Sequence, residues 1–173
     1  MTLVSILNWN GTADTLECLA ALDRVMAPEL HFVVLDIGSV EDPAQRLLHD
    51  CPDVEYIRLP ENLGFTGGHN HVMKIALRQG YGSVLLLNND CKIKLSDIQR
   101  MREVMDRDRL VAAVSPLIYR DDASCIPMMV AGWLDWESHR SVRHGTLSVF
   151  KTTYAARSGV WNTSVVSWNG TPS

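Results

Sequence analysis

Several things that would mark a special class of protein are missing from this 173-residue chain. Its four cysteines, Cys18, Cys51, Cys91 and Cys125, are scattered. No CxxC occurs, and no Cys/His pair has zinc-ligand spacing, so they read as reduced thiols in a cytosolic setting. Positive charge is not in excess: the net charge is −4, which argues against a nucleic-acid coat. Long apolar runs are also absent. The longest mostly apolar stretch, 126–134, contains a Pro and a Gly and is too short to span a bilayer. Met1 leads directly into strand-like residues without a basic flank, so a signal peptide is not expected. Three Asn-x-Ser/Thr triplets begin at Asn10, Asn162 and Asn169, but they require a secreted context to matter.

What is present fits one soluble globular domain: 46% hydrophobic and 21% charged residues. Strand-like and helix-like runs alternate. Strands are expected at Leu3–Leu7, Phe32–Leu35, Val54–Leu59, Val84–Leu87 and Val111–Val114, the second continuous in Val and Leu as buried parallel strands are. Between them, Thr12 or Asp14 caps a helix carrying Leu16 and Leu19, and Pro43 opens a second. Val72, Ile75 and Ala76 share the face of a third, stopping near Gly80. Ser96 and Gln99 form a capping box for a fourth, ending near Arg107. "PENLGFTGG" before the third helix reads as a loop. Repeated β-α-β units imply an α/β fold with a mostly parallel sheet and helices on both faces. Residues 1–134 form the domain, and 135–173 a divergent or partly disordered segment, with twelve Ser or Thr from 138 onward.

Polar residues follow the strands at one end: Asn8-Trp9-Asn10, then Asp36 with Gly38-Ser39, then Asn88-Asn89-Asp90. An unpaired amide in a dry core costs about 1–3 kcal/mol and a carboxylate more, so these groups belong where strands leave the core. Parallel sheets bind ligands at that rim. A plain turn also satisfies each group, and Asp36 alone could start an Asx turn. His69 and His71 diverge on a helix, which favours a surface or core role over metal binding. Ser39 and Ser115 show no triad partners. Residues 92–109, with six bases and four acids, read as a solvated helix face.

"VSILNWNG", "TLECLAAL", "VVLDIGS", "PENLGFTGGHN" and "VLLLNND" together resemble family 2 glycosyltransferases, most of all the rhamnosyltransferase-like branch, over about residues 3–120. The resemblance implies a GT-A fold, a nucleotide-diphospho-sugar donor (UDP- or dTDP-sugar), Mg²⁺ or Mn²⁺, and a glycan or lipid-linked acceptor in cell-surface polysaccharide assembly. It assigns nucleotide binding to Asn8, Trp9, Asn10, Asp36, Asn62, Gly67, Asn88 and Asn89. Asp90 would hold the metal in a DxD-like motif. The expected location is cytoplasmic, peripheral at the inner membrane face, with a homo-oligomer formed through the tail as one option. The family's Glu-Asp pair that supplies the general base for inversion has no counterpart near residues 145–150, where it is expected. The resemblance therefore also allows a truncated chain or an inactive nucleotide-sugar-binding fragment, and Asp135 and Glu137 are the candidate substitute bases. An unrelated α/β nucleotide-binding module is the further alternative.

Overall fold

The computed structural model describes residues 1–22, 27–109, 111–116 and 118–119, together with the backbone of strands at 127–129, 131–135, 140–144 and 167–168. Four β-α units come first: β1 (Thr2–Asn8), α1 (Thr12–Ala20), β2 (Leu30–Ile37), α2 (Ala44–Asp50), β3 (Glu55–Leu59), α3 (Gly64–Gln79), β4 (Ser83–Asn88) and α4 (Leu95–Arg107). The short strands β5 (Ile118–Tyr119), β6 (Pro127–Met129), β7 (Ala131–Asp135), β8 (Arg140–His144) and β9 (Ser167–Trp168) follow.

The main sheet has the order β3-β2-β1-β4-β9. Its first four strands are parallel, and β9 pairs antiparallel with β4. All seven residues of β1 are buried, as the middle strand of a sheet covered on both faces requires. Alternate residues of each strand feed two separate cores. Val4, Ile6, Phe32, Val34, Leu85 and Leu87 pack with Cys18 and Leu19 of α1, Leu47 of α2, and Ile98, Met101 and Met105 of α4. On the other face Leu3, Leu7, Val33, Leu35 and Ile37 pack with Val72 and Ala76 of α3. Each buried Leu or Val contributes roughly 1.5–3 kcal/mol.

Three local expectations are corrected. Val111–Val114 is not a strand: Val114 is buried, but the run makes no ladder, and Val111 N–H instead donates to Asp108 C=O in a turn. "GFTGG" is the first part of α3 rather than a loop. The expected caps are not formed. α1 begins at Thr12 after Gly11 and α4 at Leu95 after Lys94, neither with a side-chain cap bond, so Ser96 lies inside the first turn. Gly80 does end α3, in the left-handed conformation at φ 76°. Of the expected 135–173 segment, most lies outside the described residues.

Candidate functional site

β1 sits between β2 and β4, so the chain leaves it in one direction to build β2 and β3 and returns on its other side for β4. Such a reversal opens a crevice at the carboxyl ends of the strands. The register puts the polar residues on that one rim: Asn8 pairs with Asp36, and Leu7 with Asn88. A pocket of about 350 Å³ lies there, lined by Leu7, Trp9, Ile37, Asn62, Gly64, Phe65, Asn88, Asn89 and Asp90. Five of the nine residues predicted for nucleotide or metal binding therefore meet in one pocket: Trp9, Asn62, Asn88, Asn89 and Asp90.

Asn8, Asn10, Asp36 and Gly67 do not line it. Asn8 and Asp36 are completely buried and spent on each other. Asn8 Nδ2 donates to Asp36 Oδ2 (2.7 Å), and Thr15 Oγ1 donates to Asn8 Oδ1 (2.8 Å). Asp36 also accepts from Ser39 N–H at 3.0 Å and from the Ser39 hydroxyl, and Arg58 Nη1 lies 3.8 Å from Asp36 Oδ1. Ser39 Oγ further accepts from Asn10 N–H at 2.8 Å. Asn10 takes a positive φ of 56°, tolerable for Asn, and its Oδ1 accepts from Val40 N–H. Asn8, Asp36, Ser39 and Asn10 clamp the β1 and β2 loops together, and the buried Asn8 and Asp36 shape the rim from below. Bonds from Ala44 N–H and the Tyr56 hydroxyl hold the nearby Asp42 carboxyl below the ordinary carboxylate range.

Gly67 is replaced in importance by Gly68. A Cβ on Gly67 would meet its own helix neighbour Leu63 at 2.7 Å, whereas one on Gly68 would lie 2.7 Å from Leu7 and 3.1 Å from Ile37. Only glycine lets α3 approach the sheet where the pocket floor forms. One turn earlier, Asn62 Oδ1 accepts from Gly64 N–H at 2.8 Å and starts the helix at the pocket's edge. His69 is buried, as a core rather than a metal-binding residue. Its Nδ1 pairs with Ser5 Oγ at 3.0 Å, its Nε2 has no hydrogen-bond partner among the described residues, and burial pushes its pKa down to about 4.

After β4, Asn89 turns inward: its Nδ2 donates to Gly11 C=O (3.2 Å) and Thr15 Oγ1 (3.1 Å), tying the turn to the start of α1. Asn88 and Asp90 remain exposed. Among the described residues Asn88 has no side-chain hydrogen bond, and Asp90 Oδ1 has only the Cys91 thiol, at 3.7 Å. An exposed carboxylate beside a free amide oxygen suits a hard cation, which commonly takes one or two protein carboxylates and fills its shell with phosphate and water. Among the described residues no three His, Cys, Asp or Glu side chains converge, so Asp90 is the single carboxylate such an ion would find in this pocket. Cys18 lies below, its thiol pushed up to about 12 by burial and by neighbouring Cys91 and Asp90; it stays a protonated core side chain. Among the described residues Cys18, Cys51 and Cys91 form no disulfide, and Cys125 lies outside them.

The pocket residues absent from the sequence-based site are Leu7, Ile37, Gly64 and Phe65. Leu7 and Ile37 are the last apolar residues of their strands: Leu7 precedes Asn8, and Ile37 lies between Asp36 and Gly38. Asp135 ends β7, and Glu137 lies outside the described residues.

The profile of the family described as Glycosyl transferase family 2 matches residues 4–160. The chain belongs to that family. Among solved structures, S. aureus TarS aligns at 19% identity and TM-score 0.52, over 76% of this chain and 24% of that one. S. aureus TarS 1-349 in complex with UDP-GlcNAc aligns at 19% and 0.51, over 76% and 38%. 4-diphosphocytidyl-2C-methyl-D-erythritol synthase aligns at 12% and 0.50, over 97% and 73%. These likenesses concern the fold, and this glycosyltransferase-family chain spans well under half of either TarS chain. A comparison with curated proteins finds no match. The family is thus the expected one, with its GT-A architecture. No helix among the described residues is long and apolar enough to cross a membrane.

Proposed function

We propose that the rim pocket binds a nucleotide-diphospho-sugar, a UDP- or dTDP-sugar, for transfer to a hydroxyl of a glycan or lipid-linked acceptor, in the manner of the rhamnosyltransferase-like branch. The observation that carries this reading is the convergence of Trp9, Asn62, Asn88, Asn89 and Asp90 on one pocket at the sheet's reversal point. Family membership supports sugar transfer in general.

None of the described residues lining the pocket is basic. A diphosphate has two ways of meeting positive potential there. One is the start of α3, where Gly64 and Phe65 line the pocket and the helix dipole favours an anion. The other is Mg²⁺ or Mn²⁺ held by Asp90 with Asn88, which would offset the charge developing on the departing nucleoside diphosphate. Asn89, pinned to α1, fixes the turn that presents Asp90. The Asn8–Asp36–Ser39 network fixes the opposite wall and keeps Trp9 at the mouth. Inverting chemistry and a role in polysaccharide assembly belong to the same proposal.

Calorimetric titration of UDP and dTDP, with and without Mn²⁺, tests it on the native chain and on Asp90→Ala. Binding should require the metal, and the substitution should weaken it by roughly 1–3 kcal/mol, the scale of a lost charged hydrogen-bonding group. Equal affinity in both proteins would remove Asp90 from the role.

A further inference from the structure

The parallel part of the main sheet has two outer strands, and the sequence treats them differently. β3 is one of them. It carries Glu55 and Arg58, and Pro60 follows it directly. Charge and proline are what keep a sheet edge from pairing with another chain. β4 is the other, and Ser83–Asn88 holds no charged residue, no proline and no glycine. Its centre, Val84-Leu85-Leu86-Leu87, is a short apolar segment of the sort that pairs with its own copy when its edge is bare.

What lies along β4 is β9, antiparallel and two residues long. Val84 pairs with Trp168, and Leu85 with Ser167. Among the described residues the ladder on this side stops there, leaving Leu86, Leu87 and Asn88 uncovered. Residues 145–166 separate β9 from β8, so closing that length of chain opposes a pairing of only two residues. The strand most in need of an edge cover therefore has a short and weakly held one.

We propose that β9 is a removable cover over β4, and that a second copy of this chain pairs its own β4 antiparallel with the edge once β9 has left it. Pairing about Leu85 sets Leu85 against its own copy and Val84 against Leu86, apolar on apolar on both faces of a sheet continuous across the two copies. The tail is then a guard against association and not a bridge between copies. This inference does not rest on the donor reading, because no residue of the pocket's ligand chemistry enters it.

Sedimentation velocity at several protein concentrations tests it on the full chain, on a Ser167→Pro/Trp168→Pro variant, and on that variant carrying Leu86→Lys as well. The prolines remove backbone N–H groups that a ladder needs. The lysine blunts the β4 edge, and at half-buried Leu86 its stem can lie along the sheet while its amine reaches water. The proline variant should self-associate at least about tenfold more tightly than the native chain, the scale of a backbone hydrogen bond or two gained by the exposed edge. Adding the lysine should return it to native behaviour, whereas clumping of a misfolded chain would persist. A proline variant that associates no more tightly than native, or association that survives Leu86→Lys, would overturn the inference. A native chain that associates and is made monomeric by the prolines would overturn it too, and would show β9 exchanging between copies.

Discussion

Asp36 and Asp90 have the same side chain at the ends of neighbouring parts of one sheet, yet their surroundings give them opposite duties. Asp36 is sealed in and receives four polar contacts; Asp90 is exposed with a single weak thiol partner. Removing one member of a buried charged network leaves its partners unsatisfied. Asp36→Ala should therefore lower stability by on the order of 3 kcal/mol, read from urea unfolding. Asp90→Ala should leave that unfolding curve within about 0.5 kcal/mol of native while losing metal-dependent nucleotide affinity. A protein in which both substitutions destabilise equally would not have the rim described.

At the scale of elements, β1, β2 and β4 were legible because a strand covered on both faces is mostly apolar, and Leu3–Leu7 (Ser5 apart), Phe32–Leu35 and Val84–Leu87 are. Val111–Val114 carries the same signal without the outcome: Ala112 and Ala113 are exposed, Val111 packs partly buried against the core, and Val114 is buried in it. The start of α3 was hidden for the opposite reason. Glycines have poor helix propensity, but at Gly68 the absence of a side chain is what permits close contact with Leu7 and Ile37, a tertiary cause that no local pattern displays. Gly68→Ala should cost about 1–3 kcal/mol by overpacking and should disturb the pocket floor, visible as weaker nucleotide binding in the folded fraction. Ser96 tests the caps. Since it makes no cap bond, Ser96→Ala should change stability by less than about 0.5 kcal/mol, whereas a true cap would lose about 1. The site was half legible in the same way. Polar residues after strands are easy to find; which of them face outward depends on bonds that cross between loops, such as Asn8 to Ser39 and Asn89 to Thr15.

For the molecule as a whole, one buried group links folding to acidity. His69 has a folded pKa near 4 against an ordinary 6.5, because burial disfavours its charged form. The unfolded chain therefore takes up this proton first as pH falls. The contribution is complete above about pH 6.5 and declines as pH falls toward 4, a loss of about 3 kcal/mol from this group alone. Urea midpoints measured from pH 7 to 4 should fall more steeply for the native chain than for His69→Gln; parallel curves would show that His69 is not desolvated. Leu7 and Ile37 carry a different consequence. They are the last packed side chains of one hydrophobic layer and also the surface on which a ligand would rest, with no intervening tier of atoms. Any engineer who resizes this floor to admit a bulkier guest must also reset how tightly α3 grips the sheet, so altered selectivity and altered melting behaviour should arrive in the same variants.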